Sequence, residues 1–346
     1  MEALQSTWFI LVFILLGGYA VLDGFDLGVG VLHLTGKTDE ERRVGLNAIG
    51  PVWDGNEVWL LTAGGALFAA FPYVYATVFS AMYLALMLLL AALIMRAVSI
   101  EFRSKVQSKR WRGFWDVCFF LGSLLPAILL GVAFGNILRG LPINQVNGQL
   151  RFVPGFFGGF FGLLNPYSVF IGILTLALFT MHGSIYLAAK SQGAQQERLR
   201  RQALSLWMVV LTLYVIATGW TLGIRSELFN GLDTRPVFWV MLAVLGTGLI
   251  VTPAAVYSRK WLAAFMGSSA MVLGMLGLSA ISLYPNLVPS TLAPIYNLTI
   301  FNSSSTAYTL KTMLIIALVG MPLVIGYTAA IYIVFKGKVK IGHDSY

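Results

Sequence analysis

The chain has 346 residues, 58% of them hydrophobic and only 11% charged, with a formal net charge of +9. Soluble domains carry roughly a quarter charged residues, so this composition excludes a soluble globular enzyme. It predicts an all-α, polytopic membrane protein whose residues 1–346 form a single integral membrane domain. The single Cys118 excludes an internal disulfide and any multi-cysteine metal site. Glu2 and the lack of a basic residue before the first apolar run argue against a cleavable leader.

A helix that crosses the hydrocarbon needs about 20 apolar residues. Nine stretches qualify, at about 7–34, 48–71, 73–102, 114–138, 160–189, 203–224, 236–257, 261–283 and 309–335. Pro72 divides the second from the third with almost no loop, as in a tight hairpin. Basic residues gather after every odd-numbered span: Lys37, Arg42 and Arg43 after the first, the run RSKVQSKRWR (103–112) after the third, Arg198, Arg200 and Arg201 after the fifth. The opposite connections hold only Arg139, Arg151, Arg225 and Arg235. The positive-inside rule therefore predicts nine transmembrane helices with the N-terminus outside and the C-terminus cytoplasmic. The same asymmetry accounts for the net charge through anionic lipid headgroups, without a nucleic acid partner. The longer outer connections, 139–159 and 284–308, are rich in turn residues and read as ordered caps.

Against this apolar background the acids stand out. GYAVLDGFDLGVG carries Asp23 and Asp26, and GPVWDGNEVWLLTAGGALFAAFP carries Asp54 and Glu57. Each pair is three residues apart, which puts both members on one helix face. A carboxylate in lipid costs on the order of 2.5–3.5 kcal/mol by insertion scales. At 1.5 Å per residue Asp26 lies roughly 12 Å, Asp54 roughly 10 Å and Glu57 roughly 15 Å from the cytoplasmic end of its span. Arg96 lies at a depth of roughly 10 Å, as the one basic residue well inside a span and the charge partner for one acid of the group. A partly uncompensated group of acids open to the cytoplasm is what proton uptake requires. Two readings of each acid stand side by side, proton transfer and fixing of helix register. Position weighs for transfer at Asp54, for structure at Asp23, and evenly at Glu57 and Asp26. Asp116, at the start of the fourth span, reads as a helix cap or dipole partner.

Metal and nucleophile chemistry find little footing. The chain has three histidines, His33, His182 and His343, too scattered in sequence to form a site. No phosphate-binding loop, dinucleotide fingerprint or nucleophile elbow is present. The residues alone leave open a stand-alone proton-coupled secondary transporter, for which internal repeats would be expected but none is visible, and a purely structural scaffold.

The segments DGFDLGVG (23–30), GPVWDGNEVWLLTAGGALFAAFP (50–72), YPNLVPST (284–291) and SSSTAYTLKTM (303–313) resemble subunit II of the cytochrome bd quinol oxidases in order and spacing. The resemblance implies a membrane complex that oxidises quinol and reduces oxygen to water, in a bacterial or archaeal cell (inner) membrane. It implies a haem-bearing subunit I as partner, in some members a small single-helix subunit, and two b-type haems with one d-type haem ligated by subunit I and none by this chain. It implies a proton-uptake role for Asp54 and importance for Asp26 and Arg96 in assembly or haem environment. Some relatives have an amide where Glu57 stands. A bound quinone in this subunit is a further implication from some members. No catalytic residue and no metal ligand is expected on this chain itself.

Overall fold

A computed structural model describes residues 1–154 and 159–342. His343 and the Gly/Phe-rich end of the 139–159 connection lie outside the described residues. Twelve helices are described: α1 Glu2–Leu32, α2 Asp39–Ile49, α3 Trp53–Ala70, α4 Pro72–Ala81, α5 Tyr83–Phe102, α6 Lys109–Arg139, α7 Gly159–Leu163, α8 Pro166–Lys190, α9 Gly193–Ile224, α10 Pro236–Tyr257, α11 Trp261–Leu283 and α12 Ala307–Val334. Eight of them (α1, α5, α6 and α8 to α12) are long and apolar enough to cross a bilayer. The polar first turn of α3 keeps that 18-residue helix out of this group.

Three expected spans are subdivided, the fifth at Leu164–Asn165 into α7 and α8, with Pro166 opening the latter. The stretch read as one span from residue 48 breaks at Gly50–Val52, because Pro51 cannot donate the hydrogen bond a continuing helix needs. Before the break, α2 is a separate short helix opened by Thr38, whose side chain accepts from the Glu41 N–H at 3.2 Å. The Glu41 carboxylate in turn accepts from the Lys37 N–H at 2.6 Å. The third expected span is split at Met82 into α4, with Pro72 at its first position, and α5.

The α1 helix is the axis of the bundle and packs against α3, α6, α8 and α11. Its crossing with α8 is close enough to require glycine on both helices. A Cβ on Gly28 would sit 1.9 Å from the Phe179 carbonyl oxygen, and one on Gly183 would meet the Gly28 backbone. Larger residues would separate the helices and with them the acids that α1 carries. At the end of the bundle bearing the N-terminus, two short hairpins cap the helices. Strands β1 Ile143–Val146 and β2 Gln149–Phe152 pair antiparallel across Asn147–Gly148, both at positive φ, as a two-residue turn demands. Strands β3 Asn286–Val288 and β4 Leu298–Thr299 form the second. The caps are joined by Leu141 N–H to the Pro289 carbonyl and Thr291 N–H to the Leu141 carbonyl.

In contrast, α12 is almost wholly exposed along its length. Three hydrogen bonds pin it: Trp8 Nε1 to the Leu310 carbonyl at 2.9 Å, Tyr332 Oη to Asn56 Oδ1 at 3.0 Å and Lys190 Nζ to the Phe335 carbonyl at 2.7 Å.

The α1–α8 crossing makes a direct expectation. Gly28→Val should lower the thermal stability of the detergent-solubilised protein, by about 1–3 kcal/mol or more for overpacking against backbone. Gly219→Ala, where an added Cβ meets nothing within 4 Å, should leave the melting temperature unchanged or slightly raised. Equal melting curves for the two variants would contradict the close approach.

Candidate functional site: a buried acid and arginine cluster

The acids of α1 and α3 converge on Arg96 of α5. Arg96 is completely buried, with Nη1 2.8 Å from Asp23 Oδ1 and Nη2 donating to Glu57 Oε2 at 2.8 Å. Asp23 is fully buried as well, whereas the Glu57 side chain keeps 23% exposure. One guanidinium therefore serves two carboxyl groups from different helices. The planar fork of arginine suits this task, since its nitrogens point in fixed, separate directions.

Asp26, on the same face of α1, is also fully buried but does not reach Arg96 by an ion pair. Its Oδ2 accepts from Asn56 Nδ2 at 2.7 Å, and the same amide donates to the Leu22 carbonyl at 3.2 Å. Asn56 Oδ1 accepts from the Tyr332 hydroxyl, so α12 orients the amide that holds Asp26. Asp54 occupies the first turn of α3 and is exposed. Val58, Leu61, Thr62, Gly65 and Phe68 continue from it as an outward-facing stripe at helical spacing.

The sequence put Asp26, Asp54, Glu57 and Arg96 in one layer. The structure brings Asp23, Glu57 and Arg96 into contact, hangs Asp26 on Asn56, and leaves Asp54 on the surface one turn from Glu57. Asn56 was overlooked although it stands between the two acids of its own motif. Tyr332 carried no signal at all, because its partner lies 276 residues away.

A second cluster closes the end of the bundle opposite the N-terminus. Asp116, expected as a helix cap, is instead buried within α6 and gathers three cationic or hydrogen-bonding groups. His33 Nε2 lies 2.6 Å from Oδ1, Arg42 Nη1 2.6 Å from Oδ2, and Arg103 Nε 2.5 Å from Oδ1. Arg103 and Arg112 also reach Asp39 on α2, at 2.8 and 3.0 Å. The turn after α1, the helix α2, the turn after α5 and the helix α6 are thus tied at one carboxylate. Glu41 on α2 pairs with Arg198 at 2.7 Å. Burial alone would raise the Glu41 carboxyl, but the hydrogen bonds from the Lys37 N–H and Arg198 outweigh it and hold the group below its usual range.

Both described histidines are engaged within the protein. His33 meets Asp116 and the edge of Phe119. His182 sits between Ser268 Oγ and the Val21 carbonyl, at 2.7 and 3.0 Å, and stacks on Phe265. Among the described residues no three of His, Cys, Asp or Glu converge as a metal site would. With both ring nitrogens of His182 engaged, neither is free for an axial bond to a haem iron. A separate apolar cavity of about 640 Å³ lies between α1, α6, α8, α9, α10 and α11, with Tyr19, Thr175 and Phe179 among its walls.

Removing the guanidinium leaves buried carboxyl groups without a counter-charge, a loss of about 3–5 kcal/mol for a broken buried pair. Arg96→Leu should therefore lower the thermal stability sharply, and Arg96→Leu combined with Asp23→Leu should recover part of it. Thermal unfolding in detergent measures both; an unchanged midpoint in the single variant would contradict the pairing.

Residues 4–335 match the family described as cytochrome bd terminal oxidase subunit II. The chain is 36% identical to the cytochrome bd-I ubiquinol oxidase subunit 2 of Escherichia coli K12, over 98% of this chain and 96% of that protein. It is 38% identical to the cytochrome bd ubiquinol oxidase subunit 2 of Bacillus subtilis, over 98% of each. In fold it is similar to a chain of the bd oxidase structure from Geobacillus thermodenitrificans, with a TM-score of 0.78 and 17% identity over 96% of this chain and 98% of that one. With a match that runs almost from end to end, the chain belongs to the family of cytochrome bd terminal oxidase subunit II.

Proposed function

We propose that this chain, acting as one integral membrane domain, supports a haem-bearing subunit I and conducts protons from the cytoplasm towards it. The complex would oxidise quinol and use the electrons to reduce oxygen to water, in the bacterial or archaeal cell (inner) membrane. In this reading α3 is a ninth span, the N-terminus lies outside, and the Asp116 cluster faces the cytoplasm. The abundance of basic residues at that end supports the orientation. The family match leaves a stand-alone transporter without support.

One observation carries the proton role. A single buried cation, Arg96, stands against two contacting carboxyl groups, Asp23 and Glu57, and a third acid, Asp26, has only an amide for a partner. Burying three carboxylates against one positive charge is prohibitive, so the cluster has to hold protons. Groups that hold protons beside a partly exposed Glu57 and an exposed Asp54 can exchange them with water on the Asp54 side. The proposed order is uptake at Asp54, passage to Glu57, and delivery from the Asp23–Arg96–Glu57 group towards the partner, with Asp26 and Asn56 as a side branch that tunes its charge.

The same α3 surface suggests where subunit I docks. The stripe from Asp54 through Val58, Leu61 and Phe68 is unpartnered within this chain, and the exposed length of α12 adjoins α3. A relay at a subunit interface would let protons leave this chain without crossing lipid. The b-type and d-type haems would then be held by subunit I, a reading supported by the engagement of both ring nitrogens of His182 here. A small single-helix subunit is a further expected partner. The apolar cavity has the size and lining to hold a quinone, which would be a structural or reserve molecule in this subunit.

Asp54→Asn tests the uptake role. The purified complex should keep its full haem spectrum while oxygen consumption falls by about tenfold or more, the order expected when a positioned acid is lost from proton transfer. Normal turnover with normal proton uptake would reject the assignment.

A further inference from the structure

The apolar cavity and the acid cluster share one wall. Tyr19 lies one helical turn before Asp23 on α1, so the two side chains occupy the same face. The side chain is 3% exposed. Its hydroxyl is buried beside Asp23, and the residue also lines the cavity, together with Leu16 and Leu60 at that end. The far end is lined by Leu232, Asp233 and Ser282, near the outer ends of α9, α10 and α11, where Asp233 is exposed. The cavity thus runs from the outer surface to about the middle of α1. With Thr218, Thr221, Ser279 and Ser282 among its otherwise apolar walls, the cavity of about 640 Å³ has room for a chain of waters when no quinone occupies it.

On the other side of Tyr19 are groups that exchange protons with the cytoplasm in the reading above, on which this inference rests. A path from the cytoplasm that continued into the cavity would join the two aqueous phases. It would dissipate the potential that turnover builds, worth about 2.3 kcal/mol per charge at 100 mV. The wall is therefore a place where a small change in packing has a large electrical consequence. An aromatic ring suits it: it is broad, has few rotatable bonds, and excludes water over its whole face. Alanine in its place would open a gap large enough for water between the cavity and Asp23.

We propose that Tyr19 is an insulating plug, its ring separating the outward-opening cavity from the Asp23–Arg96–Glu57 cluster so that protons entering from the cytoplasm cannot escape outward. The hydroxyl group is not required for this role, which separates it from a relay through the phenol.

The test uses the whole complex in liposomes loaded with a pH-sensitive dye. A pH gradient is imposed by an acid jump, with equal potassium on both sides and valinomycin to compensate charge, without quinol, so that passive leak is read independently of turnover. Wild type and Tyr19→Phe should hold the gradient, Tyr19→Ala should lose it several-fold faster, and Tyr19→Ala with Asp54→Asn should be tight again. A Tyr19→Ala complex as tight as wild type overturns the plug, and so does a double variant that leaks as fast as the single one when Asp54→Asn alone slows turnover. Should Tyr19→Ala lose its haems, Tyr19→Val is read in its place; failure of both to assemble assigns Tyr19 to folding and overturns the proposal. The two readings fail separately. Slow turnover in Asp54→Asn with a tight Tyr19→Ala retains uptake and removes the plug. Normal turnover in Asp54→Asn with a leaking Tyr19→Ala retains the plug and removes Asp54 as the point of uptake.

Discussion

A single guanidinium held between two carboxyl groups from different helices is the constraint around which the rest of the molecule is arranged. Arg96 has no exposure, so its charge must be answered inside the bundle. Asp23 on α1 and Glu57 on α3 answer it and thereby fix three helices relative to one another. The glycine crossing of α1 with α8 presses the same segment inward from the other side. What remains is an excess of acid over base around one buried guanidinium, the arrangement on which the proposed proton role rests.

The second cluster, on Asp116, does a different job with similar residues. There cations outnumber the carboxylate, and the groups come from the ends of helices and from α2. That excess of positive charge ties down the chain just before the Gly50–Val52 break, from which α3 and its acids start. One cluster sets the position of α3 and the other uses it. Among the described residues, every buried aspartate or arginine (Asp23, Asp26, Arg96, Arg103 and Asp116) belongs to one of these two sets.

The bundle was legible in the sequence because lipid imposes a strong rule on it: apolar runs of about 20 residues, separated by loops whose charges differ from side to side. The acids were legible for the same reason, since a carboxylate in such a run is conspicuous. Their partners were not. Nothing local marks Asp23 rather than Asp26 as the residue that meets Arg96, because the two differ by less than one helical turn and the choice depends on how α1 rotates against α5. Asn56 and Tyr332 were hidden because an amide and a phenol are unremarkable in sequence and gain their roles from a contact across 276 positions. The breaks at Gly50–Val52 and Met82 differ in the same way. Pro51 could have signalled the first, whereas the α4–α5 join is an uninterrupted apolar run with no local mark.

The account stands on the claim that the acids of α1 and α3 pass hydrogen ions inward for chemistry on a neighbouring polypeptide. Its most direct measurement is proton uptake from solution during a single turnover, followed with a pH-indicator dye after fully reduced complex is mixed with oxygen. The account predicts that substituting Glu57 by alanine, in a complex that keeps its haems, slows the uptake phase while proton release from quinol on the other side is unaffected. Uptake at the wild-type rate in that complex would contradict it.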